Sequence, residues 1–194
     1  MTRFRSPRRG LAPAAIVLAL ALLPVGAARP ASAATTPRAV DISAWGMGAF
    51  SHFIGLRQYA VTAGFPLPDF RLAGAVFHPQ WTVTAGHLVR SGDQGSFVSG
   101  GARVFYLPGW KVAGLPLFLE GGESPTLMDR RHYGGKDFGS DIEFISHLTA
   151  GLRFGPRDAG SVGLRIQHMS NASISSTNPG VNMVGLQASY RFGG

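Results

Sequence analysis

The stretch Ile142-Glu-Phe-Ile-Ser-His-Leu-Thr-Ala-Gly-Leu-Arg-Phe154 changes character at every second residue. Its even positions are Ile142, Phe144, Ser146, Leu148, Ala150, Leu152 and Phe154, and its odd positions include Glu143, His147, Thr149, Gly151 and Arg153. A period of two is that of a β-strand, whose successive side chains leave on opposite faces.

The same alternation recurs on the C-terminal side. After the turn residues Gly155–Gly160, Val162, Leu164 and Ile166 share one face while Ser161, Gly163, Arg165 and Gln167 share the other. A last run sets Val184, Leu186, Ala188, Tyr190 and Phe192 against Gly185, Gln187, Ser189 and Arg191. Upstream, Val40–Phe50, Ile54–Phe65, Trp81–Val89, Phe97–Leu107 and Leu115–Gly121 read as strands, the third poorly defined because Pro66, Pro68 and Pro79 crowd its approach.

The reading is all-β, an eight-stranded antiparallel transmembrane barrel of the outer-membrane type. Runs of about ten alternating residues separated by turns are that fold's signature. An even number of strands closes without leaving unpaired edges in lipid. A soluble sandwich also alternates, but Arg153, Arg165 and Arg191 on one shared face suit a narrow polar interior where Arg, Glu, Gln and His can pair. Tyr190 and Phe192 suit an interfacial aromatic girdle. Gly155–Gly160 is a short connection, whereas Gly122–Asp141 and Asn171–Val181 are long and polar. With periplasmic termini the long ones fall outside the cell.

The N-terminal segment is read as a cleaved secretory signal, residues 1–34, preceding one barrel domain over 35–194. Arg3, Arg5, Arg8 and Arg9 precede an apolar stretch from Leu11 to Ala28, and Ala31-Ser-Ala33 has the spacing read by a signal peptidase. Pro24 and Pro30 break the stretch short of a membrane-spanning helix. Residues 1–34 hold five of the 18 basic residues and none of the 10 acidic ones, so the remainder carries +3 rather than +8. The basic pI therefore makes no case for nucleic acid, and no aromatic–basic repeats support one. The absence of cysteine removes thiol chemistry and Cys-based metal sites. The six histidines show no ligand spacing, so neither metal nor cofactor is expected.

Chemistry concentrates in Gln167-His-Met-Ser-Asn-Ala172. His168 and Ser170 are two apart, so on a strand they share a face, and that face is the apolar one of Leu164 and Ile166. Polar groups in such a place are costly without partners. An imidazole beside a hydroxyl supplies the base and the oxygen of an activated nucleophile. A plainer account stands beside this: a rim histidine is commonly interfacial, and Ser and Asn commonly form turns.

His168-x-Ser170-Asn171-Ala172, then Asn178-Pro-Gly180, then a final aromatic strand, resembles the lipid A 3-O-deacylase family (PagL). Phe118-Leu-Glu-Gly-Gly122, Phe144-x-x-His147 and Gly151-Leu-Arg-Phe-Gly155 add to the likeness, which is strong over residues 115–192. The resemblance implies an eight-stranded outer-membrane barrel and a carboxylic ester hydrolase acting on the outer wall. Its substrate would be the ester-linked 3-hydroxyacyl chain at position 3 of lipid A in the lipopolysaccharide of the outer leaflet. It makes Ser170 the nucleophile and His168 the general base, with Asn178 stabilising the oxyanion and Asn171 following the serine in a supporting role. The family's acid falls at Asn182, an amide here, whose parity matches Val184 and Leu186. Glu143 and Asp141 are other acids nearby, Glu143 with interior parity. Arg130, Arg131 and Lys136 are candidates for lipid A phosphates, or simply a solvated charged loop. The enzyme would be a monomer, or a homodimer as in some of the family. A non-catalytic structural or adhesion barrel, favoured by Asn182, remains the alternative; a small porin fits poorly with a side-chain-filled interior.

Overall fold

The computed structural model describes residues 39–193. The expected signal segment lies outside the described residues. Eight long strands make up the fold: β1 Val40–Ala49, β2 Arg57–Pro66, β3 Ala75–Arg90, β4 Asp93–Tyr106, β5 Leu115–Met128, β6 Ile142–Phe154, β7 Gly160–Ser170 and β8 Val181–Phe192. Each pairs antiparallel with the next in sequence, and β8 returns to pair with β1 from Val40↔Phe192 to Ala49↔Met183, closing the ring. Every strand edge is thereby used, which is what a sheet needs in hydrocarbon.

The alternation sorts side chains between lumen and wall as expected. Arg165 and Gln167 are buried while Val162, Leu164 and Ile166 are about half exposed. Val61, Val83, Val98, Leu148 and Leu186 extend this exposed apolar wall around the ring. A continuous band of that kind is the outer surface of a membrane barrel.

Several expected boundaries move: β2 begins at Arg57 rather than Ile54, β4 begins at Asp93 rather than Phe97, and the third and fifth strands change most. The fifth strand does not stop at Gly121 but runs to Met128, so the connection begins at 129 and contains a small hairpin, His132–Tyr133 with Lys136–Asp137. Pro125 is accommodated because the β4–β5 ladder skips from Ser99↔Thr126 to Ala102↔Glu123, so no neighbour asks proline for an N–H. The third strand, expected at Trp81–Val89, is the longest, spanning Ala75–Arg90. Its Pro79 sits just past the last β2 pair, Pro66↔Gln80, and its first residues pair instead with Phe70–Leu72. Connection lengths do not alternate throughout. β3 and β4 join through the two-residue turn Ser91-Gly92, both at positive φ as a hairpin with the native twist requires, while residues 67–74 form a longer connection at the opposite end.

We call the end bearing connections 50–56, 91–92, 129–141 and 171–180 the upper end. There the lumen is apolar. Phe53, Tyr133 and Phe138 fold in from the connections onto Trp45, Met47 and Met169, with Phe53 and Phe138 stacked at 4.2 Å. Below this plug the lumen is a polar network centred on Glu120. Arg103 and Arg165 lie 3.7 and 3.8 Å from its carboxylate, and His147 and Gln187 bond to it at 3.0 Å each. Buried charge is tolerable there because it is paired and hydrogen-bonded.

Candidate active site

His168 and Ser170 lie on the outward side of β7. The residues between and below them, Arg165, Gln167 and Met169, are buried in the lumen, so strand parity leaves the imidazole and the hydroxyl on the wall, each half-buried. Asn182 stands directly across from His168 on β8, on the face of Val184 and Leu186. Its Oδ1 is 2.8 Å from His168 Nδ1. An amide oxygen can only accept, so Nδ1 carries the hydrogen and donates it, and Nε2 keeps its lone pair. Fourteen residues apart in the chain, the two meet through strand register alone.

The β1–β2 connection holds Asn182 in place. The Asn182 N–H donates to Ser51 Oγ at 3.0 Å, and its carbonyl accepts the Phe50 N–H at 3.1 Å. Gly180 backs the imidazole: a Cβ there would lie 3.0 Å from His168 Cε1, on a backbone already at φ 61°. Both facts favour glycine at that position.

The two asparagines around the 171–180 connection have different places. Asn171 is fully buried, and its side chain is committed. Nδ2 donates to the carbonyls of Phe138 (3.1 Å) and Thr177 (2.8 Å), and Oδ1 accepts the Ser173 N–H at 3.0 Å. It ties the connection down behind Ser170, where Gly139 lets Thr177 approach so closely that a Cβ would meet its carbonyl oxygen at 1.9 Å. Asn178 is exposed; its Oδ1 accepts the Asn171 N–H at 3.1 Å, which turns its NH₂ group away from that contact.

Arg130, Arg131 and Lys136 are exposed on the 129–141 connection. Arg130 bonds to Asp93 at 2.5 Å, and Arg131 lies 3.6 Å from Asp137. Glu143 is fully buried on the lumen side, on the opposite face of the sheet from His168.

Two polar residues on the same wall escaped the sequence reading. Ser146 on β6 is the partner of His168 on the side away from Asn182, and Glu123 on β5 is the partner of Ser146. The Ser146 hydroxyl donates to Glu123 Oε2 at 2.5 Å. Ser146 was visible as a polar break in the even-numbered apolar face of β6. Glu123 was hidden because the fifth strand was expected to end at Gly121.

The fold and the site together define a transmembrane β-barrel that carries a serine–histidine–amide arrangement on its outside wall. The chain belongs to the lipid A 3-O-deacylase (PagL) family, whose model matches residues 45–191. It is 30% identical over 92 residues to the lipid A deacylase PagL of Bordetella bronchiseptica, covering 43% of this chain; it spans about half (51%) of that curated relative's length. The crystal structure of the outer membrane enzyme PagL superposes with a TM-score of 0.63 at 20% identity, covering 77% of this chain and 98% of that one, a likeness of fold.

Proposed function

We propose that this chain is an outer-membrane serine esterase that removes the ester-linked 3-hydroxyacyl chain from position 3 of lipid A. The carrying observation is that the His168 imidazole, held by Asn182, shares the outward wall with Ser170. A lipid ester reaches such a site without leaving the membrane: its chain stays in hydrocarbon, and its carbonyl sits near the headgroup level at the upper ends of the strands.

In the first half-reaction Ser170 Oγ attacks the ester carbonyl while His168 Nε2 takes the hydroxyl proton. The carbonyl oxygen becomes an oxyanion, for which the Asn178 NH₂ group and backbone N–H groups of the same connection are the nearby donors. Collapse breaks the ester C–O bond, and the imidazolium returns its proton to the departing sugar oxygen. In the second half water, activated by His168, hydrolyses the acyl-serine and releases the fatty acid. Asn182 sets the imidazole tautomer through its hydrogen bond but brings no charge to the imidazolium. Lys136, Arg130 and Arg131 stand at the rim where lipid A phosphates lie; Lys136 is the one with no acidic partner among the described residues.

Lipid A from cells expressing the wild type and Ser170→Ala, compared by mass spectrometry, tests the reading. Loss of one hydroxyacyl chain with the wild type alone is the expected result. Identical acylation in both would leave the second reading, a non-catalytic barrel, which the neutral Asn182 favours.

A further inference from the structure

Glu123, Ser146, His168 and Asn182 occupy one row across four neighbouring strands, β5 to β8, each opposite the next. All four side chains point out through the wall. Opposed residues of antiparallel strands stand about 4.5–5.5 Å apart, so His168 is flanked by Asn182 on one side and by the Ser146–Glu123 pair on the other. A carboxylate on the lipid-facing side of a barrel is unfavourable without a partner. Among the described residues no Lys or Arg pairs with Glu123; its partner is the Ser146 hydroxyl. That hydroxyl has one hydrogen and gives it to Glu123, so Ser146 offers only oxygen lone pairs to its remaining neighbours. Both features favour a cation at His168.

We propose that Glu123, acting through Ser146, supplies from the opposite flank of His168 the negative charge that Asn182 lacks, stabilising the imidazolium formed as Ser170 attacks. The proposal rests on the esterase reading and adds a positioning residue to it. Among the described residues, the acids on the 129–141 connection, which packs against 171–180, are engaged or face elsewhere: Asp137 is held by Arg131 and His132, Asp129 accepts the Ser96 N–H, and Asp141 is exposed with the parity of the lumen-facing Glu143. On β8 the outward neighbours are Asn182 and Val184, on β6 they are Phe144 and Leu148, and the 171–180 connection has no charged residue. The β1–β2 connection that holds Asn182 brings only His52. Inward of the sheet, Glu143, Glu120, His147 and Arg165 face the lumen. A charge acts across a separation of this size because the wall excludes water on one side.

The test uses the full barrel in detergent micelles with purified lipid A as substrate. Glu123→Gln, which keeps the side chain's shape, is expected to lower kcat about tenfold with KM little changed. Glu123→Asp is expected to retain most of the rate. In an Asn182→Glu background, where charge arrives from the other side, Glu123→Gln is expected to cost less than about twofold. The His168 imidazole, followed by NMR in labelled protein, is expected to lose its proton more readily in Glu123→Gln than in the wild type. Equal fractional losses in both backgrounds, or an unmoved His168 titration, would overturn the proposal. If wild type and Ser170→Ala are alike in releasing no fatty acid, the esterase reading falls, while the His168 titration still decides the role of Glu123.

Discussion

His147 and His168 sit on adjacent strands one residue out of register, and they face opposite sides of the same sheet. His147 has what a catalytic histidine is supposed to have: its Nε2 donates to a full carboxylate, Glu120, at 3.0 Å. It is buried, Arg103, Arg165 and Gln187 saturate that carboxylate, and Gly122 packs so closely that a Cβ there would meet the ring at 2.4 Å. His168 has only an amide for a partner, but its ring lies half-buried on the wall, on the same face as Ser170. The better-paired histidine ties strands together inside the lumen, and the poorer-paired one is the base in the proposed reaction. Under that proposal, access and a neighbouring serine, more than the quality of the ion pair, separate a structural dyad from a reactive one.

The largest effect is expected at Ser170. Ser170→Ala should reduce fatty-acid release by at least about 10³-fold, with thermal unfolding in detergent little changed because only the hydroxyl of a half-buried wall residue is removed. Next comes the pair His168–Asn182. Asn182→Glu should raise kcat about tenfold, measured on lipid A in micelles; no increase would mean that the amide is not limiting and that the contrast with the His147–Glu120 pair is immaterial to rate. Gly180→Ala should lower kcat a few-fold by pressing a methyl group against the His168 ring and straining a positive-φ backbone, with KM nearly constant. Smallest in turnover is His147→Gln. It should lower the unfolding free energy by about 1–3 kcal/mol, read from denaturant unfolding, yet leave kcat within about twofold. A collapse of turnover with the fold intact would erase the distinction between the two histidines.

The resemblance noted at His168-x-Ser170-Asn171-Ala172 was local, and so was what it could carry. It gave Asn171 a supporting role without showing that three hydrogen bonds commit its side chain to the connections behind the site. The long polar connection put Arg130, Arg131 and Lys136 near one another in the sequence without showing that Asp93 and Asp137 already engage the two arginines. The third strand's start moved for a related reason: Pro79 crowds its approach in the sequence until the partner that makes no demand on its missing N–H is known.

Strand parity was legible in the chain itself. A β-strand alternates strictly, so His168, Ser170 and Asn182 were bound to share the wall with Leu164, Ile166 and Val184 once those runs were strands. Which residues face one another across strands was not legible, because register depends on turns and pairings summed over the whole ring. The register of β5 to β8 is what set Asn182 against His168, and Ser146 and Glu123 in the same row.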